Sequence, residues 1–234
     1  MRGLVPGGGG DLLQTAVAKS NLRGLGDPML AAVLDAAARL RLPAGAILRS
    51  AGEPGPHLEL VVEGLLRIFV TARDGRTLTV RYARAGDLLG LVSLFRDDYT
   101  MPGSIQAVTD TDILSLRPLS VRRLADTEIE VASVMLAELS ERVVAFVGEI
   151  PDNMFSSVRQ RLVRHLLDLA TDRPQGRTLV AKVSQQELAD AVGTAREVVV
   201  RILRDLRNDE LVRTSRDGIV ILDPARLDAE RSRG

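Results

Sequence analysis

The spacing of apolar residues changes several times along this chain, and each change predicts a different class of element. Through residues 11–42, alanine and leucine recur at helical spacing, as at Leu30, Val33, Leu34 and Ala37, which predicts one or two short helices. From Pro43 to Leu119 the pattern shortens. Glycines at 45, 52, 55, 64, 75, 86 and 90 separate runs rich in leucine and β-branched residues at 59–62, 65–70 and 78–82. Asp74-Gly75, between the last two runs, reads as a hairpin turn. Short strands punctuated in this way predict a β-sandwich or jelly-roll barrel.

A helical pattern returns with Ile129, Ala132, Leu136, Leu139, Val143, Phe146 and Ile150, which alternate steps of three and four. This is a heptad stripe of the kind that pairs with a like helix, and it predicts dimerisation. It could also pack on the barrel, but Val131, Val134, Met135, Val144 and Val147 supply a second apolar face for that purpose. Pro151-Asp152-Asn153 is expected to break the helix and form a hinge. A further helix is predicted from Ser157 to Ala170, with Pro174 to Gly176 leading into strands.

Residues 184–207 carry the most informative pattern. Ser184 with Glu187, and Thr194 with Glu197, have the spacing of capping boxes and predict two helix starts. Gly193 lies between them, where a sharp turn needs positive φ. Leu188, Ala191 and Val192, then Val199, Ile202, Leu203 and Leu206, recur as buried faces. Arg196, Glu197, Val200, Arg201 and Arg204 are left for the outer face. The pair reads as a helix-turn-helix, whose second helix enters the DNA major groove. A solvated helix in an ordinary α-hairpin is the competing reading. The apolar runs 211–213 and 219–222 around Asp217-Gly218 count against it, because they predict a β-hairpin and hence a winged helix-turn-helix.

Composition narrows the function. The chain has 234 residues, 45% of them hydrophobic, so two domains of ordinary size are expected. The absence of cysteine excludes disulfides and thiolate-held metal or iron–sulfur centres. No apolar run reaches the roughly 20 residues of a membrane span. Gly7 to Gly10 reads as a flexible leader rather than a secretory signal, so a cytoplasmic protein is expected. With 31 basic and 31 acidic residues the formal net charge is zero, and residues 154–234 hold 15 Lys/Arg against 12 Asp/Glu. DNA affinity must therefore come from where the charges sit. The chain shows no nucleophile–histidine set, phosphate loop or metal-ligand cluster, so no enzyme, cofactor or metal is expected.

A glycine-punctuated barrel, a long dimer helix and a winged helix-turn-helix, in that order, resemble the CRP/FNR family of transcription regulators from about residue 25 to 222. The most specific segment is Val192 to Leu203, VGTAREVVVRIL, which is similar to the family's recognition helix. Gly64, Gly86-Asp87-Leu88-Leu89-Gly90 and Leu94-Phe95 match barrel landmarks. The resemblance implies an α+β fold: a jelly-roll sensor barrel at 11–126, a dimerisation helix and hinge at 127–152, and a DNA-binding domain at 153–234. It implies double-stranded DNA and a second copy of the chain as partners, with RNA polymerase as a further one and no membrane. It makes Arg196, Glu197 and Arg201 the base readers of a TGTGA-like inverted repeat. Arginine suits guanine O6/N7 and glutamate suits cytosine N4. Ala195 and Val198 stand where the family often places hydroxyls, which shifts phosphate contact to Arg204, Arg213, Thr214, Ser215 and Arg216. Ser184, Gln185 and Thr194 complete the expected DNA-facing set.

The sensor positions depart further. Leu91 stands where the cyclic-AMP-binding members carry a glutamate, and Met101 and Pro102 where they carry arginine and serine. Phe146 and Val147 replace the hydroxyls that meet adenine. Each lost charge-assisted hydrogen bond is worth roughly 1.5–3 kcal/mol, so cyclic AMP is not expected to bind in the family's usual way. Arg96, the nearby cation, reads as a solvated loop charge beside Asp97 and Asp98. His57, in a Pro-flanked loop, and His165, expected on a surface, do not form a haem site. An unidentified apolar effector, a protein partner and no effector all remain. The expectation is a degenerate pocket filled by Leu91, Val92 and Met101, and a regulator active without ligand. The rival is a small-molecule-sensing module that signals through protein contacts.

Overall fold

The computed structural model describes residues 9–173, 176–215 and 218–230. The start of the glycine leader, Pro174 and Asp217 lie outside them. The described residues divide into two compact units. One comprises residues up to Val70 with Val80–Phe146, and the other Thr71–Thr79 with residues from Val147 on.

The first begins with α1 (Gly9–Lys19), a 3-10 turn at Asn21–Gly24 and α2 (Asp27–Val33). The strands that follow are β1 (Ala38–Leu42), β2 (Ile47–Arg49), β3 (Glu59–Glu63), β4 (Leu65–Thr71), β5 (Thr77–Arg84), β6 (Leu88–Leu89), β7 (Ser104–Ala107) and β8 (Thr111–Ser115). A second 3-10 turn, Leu91–Phe95, lies between β6 and β7. The helices α3 (Pro118–Thr127) and α4 (Ile129–Phe155) come next. The strands form two four-stranded sheets, ordered β1-β8-β3-β6 and β2-β7-β4-β5. Of the β-sandwich and jelly-roll barrel that the glycine spacing leaves open, this is the jelly-roll barrel, within the α+β fold that the resemblance implies.

Alternation through Leu58 and β3 explains how the layers stack. Leu58, Leu60 and Val62 point outward into a core shared with Ala16, Leu22, Val33, Val121, Val131 and Met135 of the flanking helices. Val61 points the other way, into an interior filled from both sheets by Leu66, Leu89, Met101, Ile105 and Ile113. Successive side chains leave opposite faces of a strand, so a strand covered on both sides must be apolar throughout.

Residues 38–42 correct the expectation of helix through 42. Arg39 and Arg41 alternate with Leu40 and Leu42, and the segment pairs antiparallel with β8, Arg39 opposite Leu114. The helical spacing ends at Leu34, and Ala36 turns the chain at φ 51°.

The helix α4 departs from expectation at two places. It runs unbroken to Phe155, so Pro151-Asp152-Asn153 does not end it. Proline inside a helix forgoes one backbone hydrogen bond and crowds the carbonyl four residues before it, which weakens a helix without always ending it. The break falls at Ser156, and Ser157 then caps the next helix with a full capping box to Gln160. The second apolar face also divides. Val131 and Met135 are buried on the barrel, whereas Val144 and Val147 are exposed. Along the heptad stripe Ile129, Leu136, Val143, Phe146 and Ile150 are exposed, with Ala132 and Leu139 half-buried.

The second unit contains α5 (Val158–Leu169), β9 (Ala170–Arg173), β10 (Gly176–Ala181), α6 (Gln185–Val192), α7 (Arg196–Asn208), β11 (Val212–Ser215), β12 (Gly218–Ile221) and α8 (Pro224–Ala229). Its sheet is ordered β11-β12-β10-β9. Leu162, Leu166, Leu188, Leu203, Leu206 and Ile221 are fully buried within it. His165, expected at a surface, is buried on α5.

Leu60 is completely buried between the barrel and its helices. Leu60→Ala is expected to cost about 2–5 kcal/mol, read as a fall of several degrees in the thermal midpoint.

Candidate nucleic-acid interface

Ser184 caps α6 through its hydroxyl, which accepts from the Glu187 amide at 3.1 Å, while the Glu187 carboxylate accepts from the Ser184 amide at 2.7 Å. This is the capping box that the spacing predicts. Gly193 ends the helix at φ 68°, ψ 43°, the left-handed conformation that spares only glycine a steric cost. The second predicted box does not form. Ala195 is the N-cap of α7 and makes no side-chain cap bond. Thr194 is used in the turn itself, where its amide donates to the Ala189 carbonyl at 3.0 Å. Crossing between the two helices takes all three residues Gly193-Thr194-Ala195, so α7 starts one residue later than predicted. Glu197 is thereby freed of capping, and as an acid in the first helical turn it suits the helix dipole.

The sides of α7 are sharply divided. Val199, Ile202, Leu203 and Leu206 are buried against the unit's core. Arg196, Glu197, Val200, Arg201 and Arg204 are all exposed, as the spacing predicts. Arg204 lies 3.7 Å from Asp205, an exposed pair that leaves the guanidinium able to exchange partners. The wing follows directly. β11 and β12 pair antiparallel, from Val212 opposite Ile221 to Ser215 opposite Gly218. Arg213 and Thr214 are exposed on it, and the Thr214 hydroxyl accepts from Arg207 at 3.0 Å. Arg216 lies outside the described residues.

Between the wing and the start of α6 lies a groove of about 380 Å³, lined by Lys182, Ser184, Gln185, Thr214 and Ser215 among others. A lysine, hydroxyls and a helix N-terminus together suit a phosphate oxygen. Lys182 leaves no mark in the sequence pattern, because a lone lysine between strand and helix carries no periodic signal. Arg161 leaves none either. That guanidinium, on α5, donates to the Ser156 carbonyl at 2.7 Å and to the Val192 carbonyl at 3.3 Å, bracing the end of α6. Burial, and secondarily the nearby Arg164, hold the Arg161 guanidinium below its ordinary pKa.

In the barrel, Leu91 and Met101 are buried and Pro102 is exposed. Val92, expected to fill the interior, is instead exposed, and Leu91, also expected there, packs with Leu94 into the outer core shared with the helices, so that of the three only Met101 lies in the barrel interior. Phe146 and Val147 are exposed on α4. Arg96 is an exposed loop charge 3.5 Å from Asp98. Among the described residues, no group of three or more His, Asp or Glu side chains could hold a metal, and no helix is long and apolar enough to cross a membrane.

A jelly-roll barrel in one unit and a winged helix-turn-helix in the other define a ligand-sensor-like, DNA-reading class of protein. Comparison with known proteins agrees. Residues 39–128 match the cyclic nucleotide-binding domain, and residues 160–230 the Crp-like helix-turn-helix domain. The chain is 30% identical to the transcriptional regulator LdrP of Thermus thermophilus, over 76% of this chain and 89% of that one. It is 27% identical to a CRP-like cAMP-activated global transcriptional regulator of Mycobacterium tuberculosis, over 82% and 86%. Among solved structures it resembles the c-di-GMP-responsive global regulator CLP of Xanthomonas campestris, with 27% identity, a TM-score of 0.69 and coverage of 84% and 99%. The chain belongs to the CRP/FNR family of transcription regulators and is not an enzyme.

Ser184→Ala removes one half of the capping box. It is expected to cost about 1 kcal/mol of stability in the DNA-binding unit, measured by thermal unfolding with Ser184→Asp as the restoring control.

Proposed function

We propose that the chain acts in the cytoplasm as a homodimer that reads an inverted TGTGA-like repeat without needing cyclic AMP. The observation that carries this reading is the exposed face of α7, where Arg196, Glu197 and Arg201 project from a helix whose other side is locked into a core. Arg196 and Arg201 are suited to guanine and Glu197 to cytosine. Lys182, Ser184, Gln185, Thr194, Arg204, Arg213, Thr214, Ser215 and Arg216 serve the backbone around them. The domain roles follow as 11–126 for the barrel, 127–152 for the dimer helix and 153–234 for DNA binding, with the flexible point at Ser156.

Dimerisation through α4 is supported by the exposure of Ile129, Leu136, Val143, Phe146 and Ile150, an apolar row that a like helix would cover. Two-fold pairing places recognition helices in successive major grooves, one helical turn apart. Independence from cyclic AMP is supported by buried Met101 and exposed Pro102 where the cyclic-AMP-binding members carry arginine and serine, and by an apolar Leu91 in place of their glutamate. RNA polymerase is the further partner expected of a regulator.

Selection of duplexes from a random pool by ligand-free protein should recover an inverted repeat with half-sites one helical turn apart. Arg196→Ala should then cost about 1–3 kcal/mol and relax preference at one base pair. Equal weakening on random and selected duplex would remove Arg196 from the base readers, and a monomer that selects no sequence would overturn the reading.

Cyclic AMP at millimolar concentration is expected to leave the thermal midpoint and DNA affinity unchanged. A ligand at 100 times its Kd would add about 2.7 kcal/mol of stability, so a stabilisation of several degrees would show a working nucleotide pocket.

A further inference from the structure

Among the described residues, the barrel interior buries one carboxylate beside its apolar side chains. Glu59, on β3, shares the inward face with Val61 and is wholly buried. Arg49 reaches it from β2 in the opposite sheet, donating from Nε and Nη2 to Glu59 Oε1 at 3.1 and 2.7 Å. The third guanidinium nitrogen, Nη1, donates to Glu53 Oε1 at 2.9 Å. The other Glu59 oxygen, Oε2, lies 2.7 Å from His57 Nδ1. A carboxylate held by arginine accepts, so Nδ1 carries the imidazole proton. Tyr99 packs beside this cluster, its ring 5.8 Å from that of His57 and its hydroxyl 3.4 Å from Met101 Sδ. Burial first, and the Glu59 charge second, push the Tyr99 phenol above its ordinary pKa.

The same cluster seats the turn at 91–95. Ser93 Oγ accepts from the His57 amide at 2.9 Å and faces the His57 carbonyl at 2.8 Å. Gly90, which precedes the turn, passes so close to His57 that a Cβ would lie 2.2 Å from its carbonyl oxygen and 2.4 Å from Nδ1. One carboxylate thus joins both sheets and, through His57, the turn carrying Leu91.

A buried charge pair is costly to desolvate and is weak evidence for stability, whereas a carboxylate missing from between two fixed donors leaves those donors stranded. We propose that Glu59 is a built-in anion: Arg49 and His57 form a carboxylate cradle in the barrel interior that the chain fills with its own side chain, holding permanently the sheet-to-sheet and turn contacts that an anionic effector would hold only while bound. This extends the ligand-independent reading above by naming what stands in for the ligand. It also gives the cradle a chemical class, small carboxylates, that should enter once the side chain is cut back. Beyond Cβ, a glutamate side chain has the size of acetate, so Glu59→Ala opens a space matched to that ion.

The test is thermal unfolding of the full chain with chloride replaced by acetate at constant pH and ionic strength. Glu59→Ala should melt several degrees below the parent protein in chloride, and millimolar acetate should restore most of the loss along a saturating curve. The parent protein should not respond, nor should the double variant Glu59→Ala/Arg49→Met. An acetate response no larger in Glu59→Ala than in the parent, or one that survives loss of Arg49, overturns the proposal. If Glu59→Ala does not fold in chloride or acetate, Glu59→Gln decides: it keeps the shape without the charge. It should melt below the parent and be partly restored by adding Arg49→Met, whereas parent-like melting of Glu59→Gln overturns the built-in anion. No duplex is present in these measurements, so their failure is separate from failure of the operator selection.

Discussion

Everything in the barrel depends on a strand that has no solvent face. Between the helical layer and the second sheet, residues 58–62 offer Leu58, Leu60 and Val62 to one side and Glu59 and Val61 to the other. Burial on both faces removes the usual freedom to place a charge outward, so a glutamate here must find its partners inside. Arg49 from the opposite sheet and His57 from the same chain segment supply them. The result is a charged junction in a largely apolar core, where complete partnering matters more than net stabilisation.

The DNA-reading unit solves the opposite problem, which is how to keep charges outward and fixed. An apolar stripe on α7 is buried while its arginines remain in solvent, and the left-handed Gly193 at the end of α6 sets the direction from which α7 departs. Arg161 adds an internal brace by occupying the carbonyls at Ser156 and Val192. A chain of zero net charge can then still present a basic face, because the field at a surface follows from where charges sit and not from their total.

Glycine-separated apolar runs and helical spacing made much of this legible. The runs at 59–62, 65–70 and 78–82 became β3, β4 and β5, and the Ser184–Glu187 spacing formed its capping box. The misreadings were local. Residues 38–42 read as helix because the helical alanines precede them without a break, yet pairing with β8 decides their conformation. Thr194 met the capping-box spacing, but the width of the turn moved the helix start past it. Pro151 signalled a break, and the helix absorbed it. The Glu59 junction left no trace in the pattern, since Arg49, His57 and Glu59 look like loop and strand polar residues until the two sheets are brought together.

By itself the sequence determined which residues form most of the strands and helices, that a glycine turn joins two helices, and which side of the second helix carries the arginines. These follow from interactions between near neighbours, where spacing is sufficient. Only the tertiary structure decided which faces of β3 and α4 are covered, that Val144 and Val147 are left exposed, and that one buried carboxylate joins two sheets. Those outcomes depend on contacts between segments distant along the chain, and spacing within one segment does not encode what will pack against it.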